Sequence, residues 1–169
     1  MKKLSTKQTK VLRIFHIIFS VMWLGGCMAI CFFPFFIYPK NTSEVLIYTQ
    51  VIDFLDYWMI IVGGVGSFIT GLIYSIWTKW GFFKHNWLIV KWIIVILQTL
   101  YGTFVLGLWL LEDVVRIAEN MTGDISQYPE YFDALYKHTT GGIIQLVFLI
   151  FLYVITVWKP WRSNMKKAE

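Results

Sequence analysis

Charge is scarce in this chain of 169 residues: Asp, Glu, Lys and Arg make up only 15% of it, against about 25% in an average soluble domain. A chain this short exposes much of itself to water, so too little polar surface is available for an ordinary soluble globule. Cysteine is limited to two residues and proline to four, which excludes a disulfide-stapled scaffold. Internal repeats and low-complexity tracts are missing too. So are a P-loop and an H-E-x-x-H motif. The glycine run Gly63-Gly64-Val65-Gly66 lies inside an apolar stretch, so it does not cradle phosphate. Acidic residues are absent from all four of the longest apolar runs, which argues against a carrier that relays protons through Asp or Glu.

What the chain does have is 57% apolar residues, 19% aromatics and a mean hydropathy of +0.61. A transmembrane helix needs roughly 20 mostly apolar residues, and four such runs are present, at 14–38, 57–77, 87–111 and 136–158. The expected fold is all-α, an integral membrane four-helix bundle. Residues 1–13 form an N-terminal segment, 14–161 the bundle, 112–135 an outer loop and 162–169 a tail. The first run exceeds 20 residues and lacks a small-x-small cleavage site, so it is expected to be retained, not removed as a signal peptide.

Charge placement sets the orientation. Twelve of the fifteen basic residues, including Lys2, Lys10, Arg13, Lys79, Lys84, Lys91, Lys159 and Arg162, fall on one side with a single acid, Glu169. The other side carries Lys40, Arg116 and Lys137 against nine acids, among them Glu44, Asp53, Asp56, Glu112 and Asp133. By the positive-inside rule both termini are cytoplasmic, and the expected location is a bacterial inner membrane. The net charge of +5 then reports topology, and no nucleic-acid partner is implied. Trp77, Trp80, Trp87, Trp158 and Trp161 mark the inner boundary. Tyr38, Tyr57, Trp58, Tyr131 and Tyr136 mark the outer one.

In the connections, Glu112–Glu119 can prolong the third helix beyond the bilayer, Met121-Thr122-Gly123-Asp124 reads as a stop and turn, and Pro129 sits where a new helix can start. Ionisable groups within spans are functional candidates. His16 and Lys91 lie at similar depth near the inner end of spans one and three, so they can share a site. His138, at the outer start of span four, is read as interfacial. Helical spacing places His16, Ser20, Trp23 and Cys27 on one face, Lys91, Gln98 and Gly102 on another, and His138, Gly142, Gln145 and Leu149 on a third. Gly63, Ser67 and Gly71 form a close-approach stripe on span two. Cys27 and Cys31, one turn apart, can bind a soft ion such as copper together with Met28, or simply pack.

The stretch Leu12-Arg13-Ile14-Phe15-His16-Ile17-Ile18-Phe19-Ser20-Val21-Met22-Trp23-Leu24-Gly25-Gly26 resembles the first helix of CopD-like and HemJ-like integral membrane proteins, where a His is followed seven residues later by Trp and then small residues. Trp87-Leu88-Ile89-Val90-Lys91-Trp92 is similar to the family's third helix with its Lys, and Val157-Trp158-Lys159-Pro160-Trp161 to the "KP" ending of CopD-like domains. This resemblance implies heme b at positions matching His16 and Lys91, as in HemJ-like proteins, which oxidise protoporphyrinogen IX. CopD-like proteins are linked to copper uptake or resistance. The expectation is therefore a heme b-binding membrane protein, with electron transfer or porphyrin-related redox chemistry carried by the cofactor. His16 is the expected axial ligand. Lys91 is a second ligand or a propionate partner, and Trp23, Phe19, Gln98 and Gly102 shape the pocket. Copper handling through Cys27, Cys31 and Met28 is the alternative, and a structural subunit of a larger complex a third. Besides the lipid bilayer, a redox partner or a second copy of the chain is an expected partner.

Overall fold

The computed structural model describes residues 3–78, 81–82 and 85–160. Four long helices account for nearly all of them: α1 (Thr6–Phe36), α2 (Thr42–Trp77), α3 (Asn86–Asn120) and α4 (Pro129–Trp158). No strand occurs among the described residues. Each helix is long and apolar enough to cross a membrane. Lys2, Lys79, Trp80, Lys84, Trp161, Arg162, Lys166, Lys167 and Glu169 lie outside the described residues.

Local chemistry explains the helix ends. Ser5 caps α1 in a reciprocal box, its Oγ accepting from the Gln8 N–H at 3.3 Å while the Gln8 Oε1 accepts from the Ser5 N–H at 2.9 Å. Asn41 caps α2, accepting from the Glu44 N–H at 2.9 Å, and Glu44 in turn accepts from the Lys40 N–H. Between α3 and α4, Gly123 adopts φ +78°, a left-handed turn that suits a residue without Cβ. Asp124 then accepts from the Ser126 N–H, which holds its carboxyl below the usual carboxylate range. Pro129 opens α4, where its missing N–H costs nothing.

Consecutive helices run antiparallel, so the start of α1 and the end of α2 meet at one end of the bundle, where the Leu4 N–H donates to the Trp77 carbonyl at 3.0 Å. Without a hydrophobic drive between helices in lipid, small residues permit the close contacts. At Gly63 the α1 backbone approaches so closely that a Cβ would stand 2.6 Å from the Trp23 nitrogen and 2.9 Å from the Phe19 carbonyl oxygen. The Gly63-Ser67-Gly71 stripe is thus filled by α1 of the same chain, as the packing expectation for it required, and is not free to serve as a surface for another subunit. Trp23, Cys27, Cys31, Leu146, Leu149 and Leu152 pack in the centre between α1 and α4. Ile14, Ile18, Val21, Phe104, Leu108, Val147 and Phe151 point outward, as lipid-facing positions do.

The structure adds one helical segment and corrects two aromatic placements. The segment between spans one and two is helical from Thr42 onward, because Val45, Tyr48, Thr49 and Ile52 bury one face of it. With the last third of α3 and the first turns of α4 it forms a cap whose core is Val45, Val114, Ala118, Met121, Tyr131 and Ala134. Tyr131 is consequently not part of the outer aromatic belt. It is wholly buried, and its hydroxyl is hydrogen-bonded to Thr49 at 2.9 Å. Trp87, assigned to the inner belt, is also buried, and His138 is only 3% exposed. His138 lies about two and a half turns inside α4, near the level of the exposed Tyr136, with its ring turned into the bundle. Tyr38, Tyr57, Trp58, Tyr136 and Trp158 are exposed, as boundary aromatics should be.

Candidate functional site

His16 and Lys91 line one cavity of about 250 Å³, together with Ser20, Trp23, Ser67, Tyr153 and Thr156. Ile17 and Val21, both more than half exposed, form the rim on the α1 side, so the cavity opens laterally toward lipid. Its remaining wall is apolar, from Val95, Leu149 and Leu152.

Hydrogen bonding fixes the state of His16. Its Nδ1 lies 2.8 Å from the Thr70 Oγ1 on α2. The single hydroxyl proton of Thr70 is already donated along α2, to the Gly66 carbonyl at 2.6 Å and more distantly to that of Ser67. With that proton so placed Thr70 accepts and Nδ1 carries the ring hydrogen, so in the neutral ring Nε2 keeps its lone pair. Imidazole ligands are held in this way by a second partner behind them.

Lys91 is held by the same device. Its Nζ donates to the Thr156 Oγ1 on α4 at 3.2 Å, while the Thr156 hydroxyl donates to the Leu152 carbonyl at 2.7 Å. The Nζ is thus drawn inward across the bundle and does not reach toward the headgroups. His16 and Lys91 are near enough to interact electrostatically. Around them the Ser20 and Ser67 hydroxyls pair at 2.8 Å, and the Tyr153 hydroxyl donates to the Ser20 carbonyl at 2.6 Å. These bonds tie α1, α2 and α4 together at the level of the cavity.

The other expected site residues divide. Trp23 lines the cavity. Phe19 does not: its ring covers Gly66 on α2. Gln98 and Gly102 share a face with Lys91, but Gln98 lies seven residues along α3, about 10 Å further into the bundle. There both line a second, smaller cavity, which Trp23 also borders. Cys27 and Cys31 are buried against Leu146 and Leu149, whereas Met28 faces outward at 41% exposure. No three His, Cys, Asp or Glu side chains converge on one point among the described residues.

Thr70, Tyr153 and Thr156 were not anticipated. A signal existed for the last two, since the α4 stripe His138-Gly142-Gln145-Leu149 continues at helical spacing to Tyr153 and Thr156. Thr70 follows Ser67 by three residues on the recognised face of α2.

The model of a family described as predicted integral membrane protein (DUF2269) matches residues 10–160. The chain belongs to this family. The DUF2269 match takes in all the residues of both cavities and agrees with the four apolar helices. Neither a curated protein nor a solved structure matches the chain. The likeness to CopD-like and HemJ-like proteins rests on the three sequence patches alone.

Proposed function

We propose that this DUF2269 protein binds heme b in the lateral cavity, with the His16 Nε2 as axial ligand. The observation that supports this most is the His16–Thr70 hydrogen bond, which leaves one ring nitrogen unprotonated in a cavity with apolar walls. Histidine is a common protein ligand to heme iron, and an apolar wall suits a porphyrin face. Lys91 would meet a propionate as an ammonium ion, its Nζ directed across the bundle by Thr156. Trp23 would bound the pocket toward the bundle centre. The cavity, at about 250 Å³, is smaller than typical ligand pockets of roughly 300–1,000 Å³. The macrocycle would therefore sit with one edge in the lateral opening at Ile17 and Val21.

Heme, when bound, supplies one-electron or porphyrin-related redox chemistry. The chain's own residues fix the imidazole tautomer, place a positive charge beside it and keep water away. The bilayer location and the positive-inside distribution of charge make an inner membrane with both termini cytoplasmic the consistent setting.

The test is a titration of the detergent-purified protein with hemin. Saturable binding at one heme per chain is expected, abolished in His16→Ala and restored to His16→Gly by added imidazole. Binding that is equal in wild type and His16→Ala would reject the ligand.

A further inference from the structure

The second cavity contains a feature that the apolar run beginning at Tyr57 conceals. Asp56, expected on the outer surface, is buried within the bundle at 9% exposure and lines this cavity with Gln98, Thr103 and Gln145. Asp56 stands one residue before the apolar run, where it continues the buried stripe of α2 one turn beyond Ile52.

The oxygen atoms here have few partners. The Asp56 carboxylate accepts no hydrogen bond and has no ion-pair partner among the described residues. Gln98 is 4% exposed, and its Nε2 donates to the Gln145 main-chain carbonyl at 3.0 Å. Its Oε1 is buried with no partner. Gln145 is equally buried, its Nε2 turned toward Gly102, where a Cβ would stand 2.7 Å away. A larger residue at 102 would displace that amide. Buried oxygens left unmatched are costly, and a carboxylate enclosed by protein without a partner favours a compensating positive charge.

Backbone geometry sets the place apart independently. Asp56–Ile61 of α2 and Tyr101–Leu111 of α3 are wound as π-helix, a rare geometry found often at functional sites. Asp56, Ile60 and Ile61 of the first segment and Gly102 and Thr103 of the second all border the cavity.

We infer that Asp56, Gln98 and Gln145, with Thr103 at the exposed rim, form a binding site for one monovalent cation of sodium size. One carboxylate with neutral amide and hydroxyl oxygens is the ligand set a hard cation prefers, and a single positive charge balances the site. The void is about 40 Å³, room for such an ion and about one water molecule. No imidazole, amine or thiol is among its lining groups, which separates it in chemistry from the His16 cavity. The site is independent of heme binding, so either can fail without the other.

The test is equilibrium binding of radioactive sodium to the full-length protein in detergent, with thermal unfolding measured in parallel in sodium, potassium and choline chloride at equal ionic strength. Saturable binding near one sodium per chain is expected, displaced by unlabelled sodium and not by choline, with a saturable rise in Tm that is larger in sodium than in potassium. Asp56→Asn keeps the side-chain shape and should abolish both effects. Gln98→Leu should weaken binding about tenfold, and covers the case in which Asp56→Asn does not fold. Absence of saturable sodium binding to wild type would overturn the inference. So would undiminished binding in Asp56→Asn, or a stability that responds to pH and not to sodium, since the carboxyl would then simply hold a proton.

Discussion

The Thr70 hydroxyl accepts from His16 across the α1–α2 contact because its own proton is spent on the Gly66 carbonyl one turn back. Thr156 stands in the same relation to Lys91. In both cases a threonine on a neighbouring helix converts a flexible ionisable side chain into one of defined direction.

Thr70→Val removes the acceptor while keeping the shape. The His16 ring then loses its fixed tautomer, and heme affinity should fall roughly 10–100-fold, the usual effect of losing such a partner. Thr70→Ser should restore it. Hemin titration of the three proteins measures this directly, and equal affinities would remove Thr70 from the account.

Lys91→Arg retains a positive charge but cannot supply a neutral nitrogen to iron. With Lys91 serving as a propionate partner, the absorption spectrum of the heme-loaded variant should match wild type, and Lys91→Met should bind more weakly with the same band positions. A shifted spectrum in Lys91→Arg would make Lys91 an iron ligand instead.

Gly63→Ala and Gly71→Ala form a matched pair. At Gly63 the new methyl meets α1 backbone, which cannot move aside, and a loss of about 1–3 kcal/mol is expected. At Gly71 the nearest atom is the His16 Cε1 at 3.6 Å, an ordinary contact, so the change should be nearly neutral. Thermal unfolding in detergent distinguishes them.

Thr49→Val leaves the fully buried Tyr131 hydroxyl without its partner. Stability should drop by about 1–3 kcal/mol, and Tyr131→Phe in the same background should recover part of it. A double-mutant cycle on the unfolding transition provides the check.

Orientation is testable with a single introduced thiol. Cys27 and Cys31 are buried and should be silent toward an impermeant maleimide. A cysteine replacing Thr122, in the exposed turn after α3, should be labelled in intact cells. One replacing Lys3 should be labelled only after lysis.

Much of this architecture was legible because hydropathy reports lipid exposure directly. The four runs, Pro129 at a helix start and Gly123 at a turn all follow from local chemistry. His16 and Lys91 border one cavity, a proximity readable from the sequence because both lie close to charged ends of their spans, which fixes their depth. Gln98 and Gly102 were misplaced for the converse reason: helical spacing specifies a face of α3 but says nothing of which cavity that face meets at each level. Phe19 is one turn from His16, yet its ring is taken up by Gly66, a contact visible only once α1 and α2 are aligned. Asp56 escaped because an apolar window begins at Tyr57. The buried pattern Val45-Tyr48-Ile52-Asp56 has helical spacing, but its polar outer face lowers the average over the segment.

The central claim is that a nitrogen of His16 is held ready for heme iron, and the absorption spectrum of the detergent-purified protein tests it most directly. The protein expressed with heme available should show a Soret band that sharpens and shifts on dithionite reduction, and that is lost in His16→Ala. A wild-type spectrum with no Soret band, before and after addition of hemin, would contradict it.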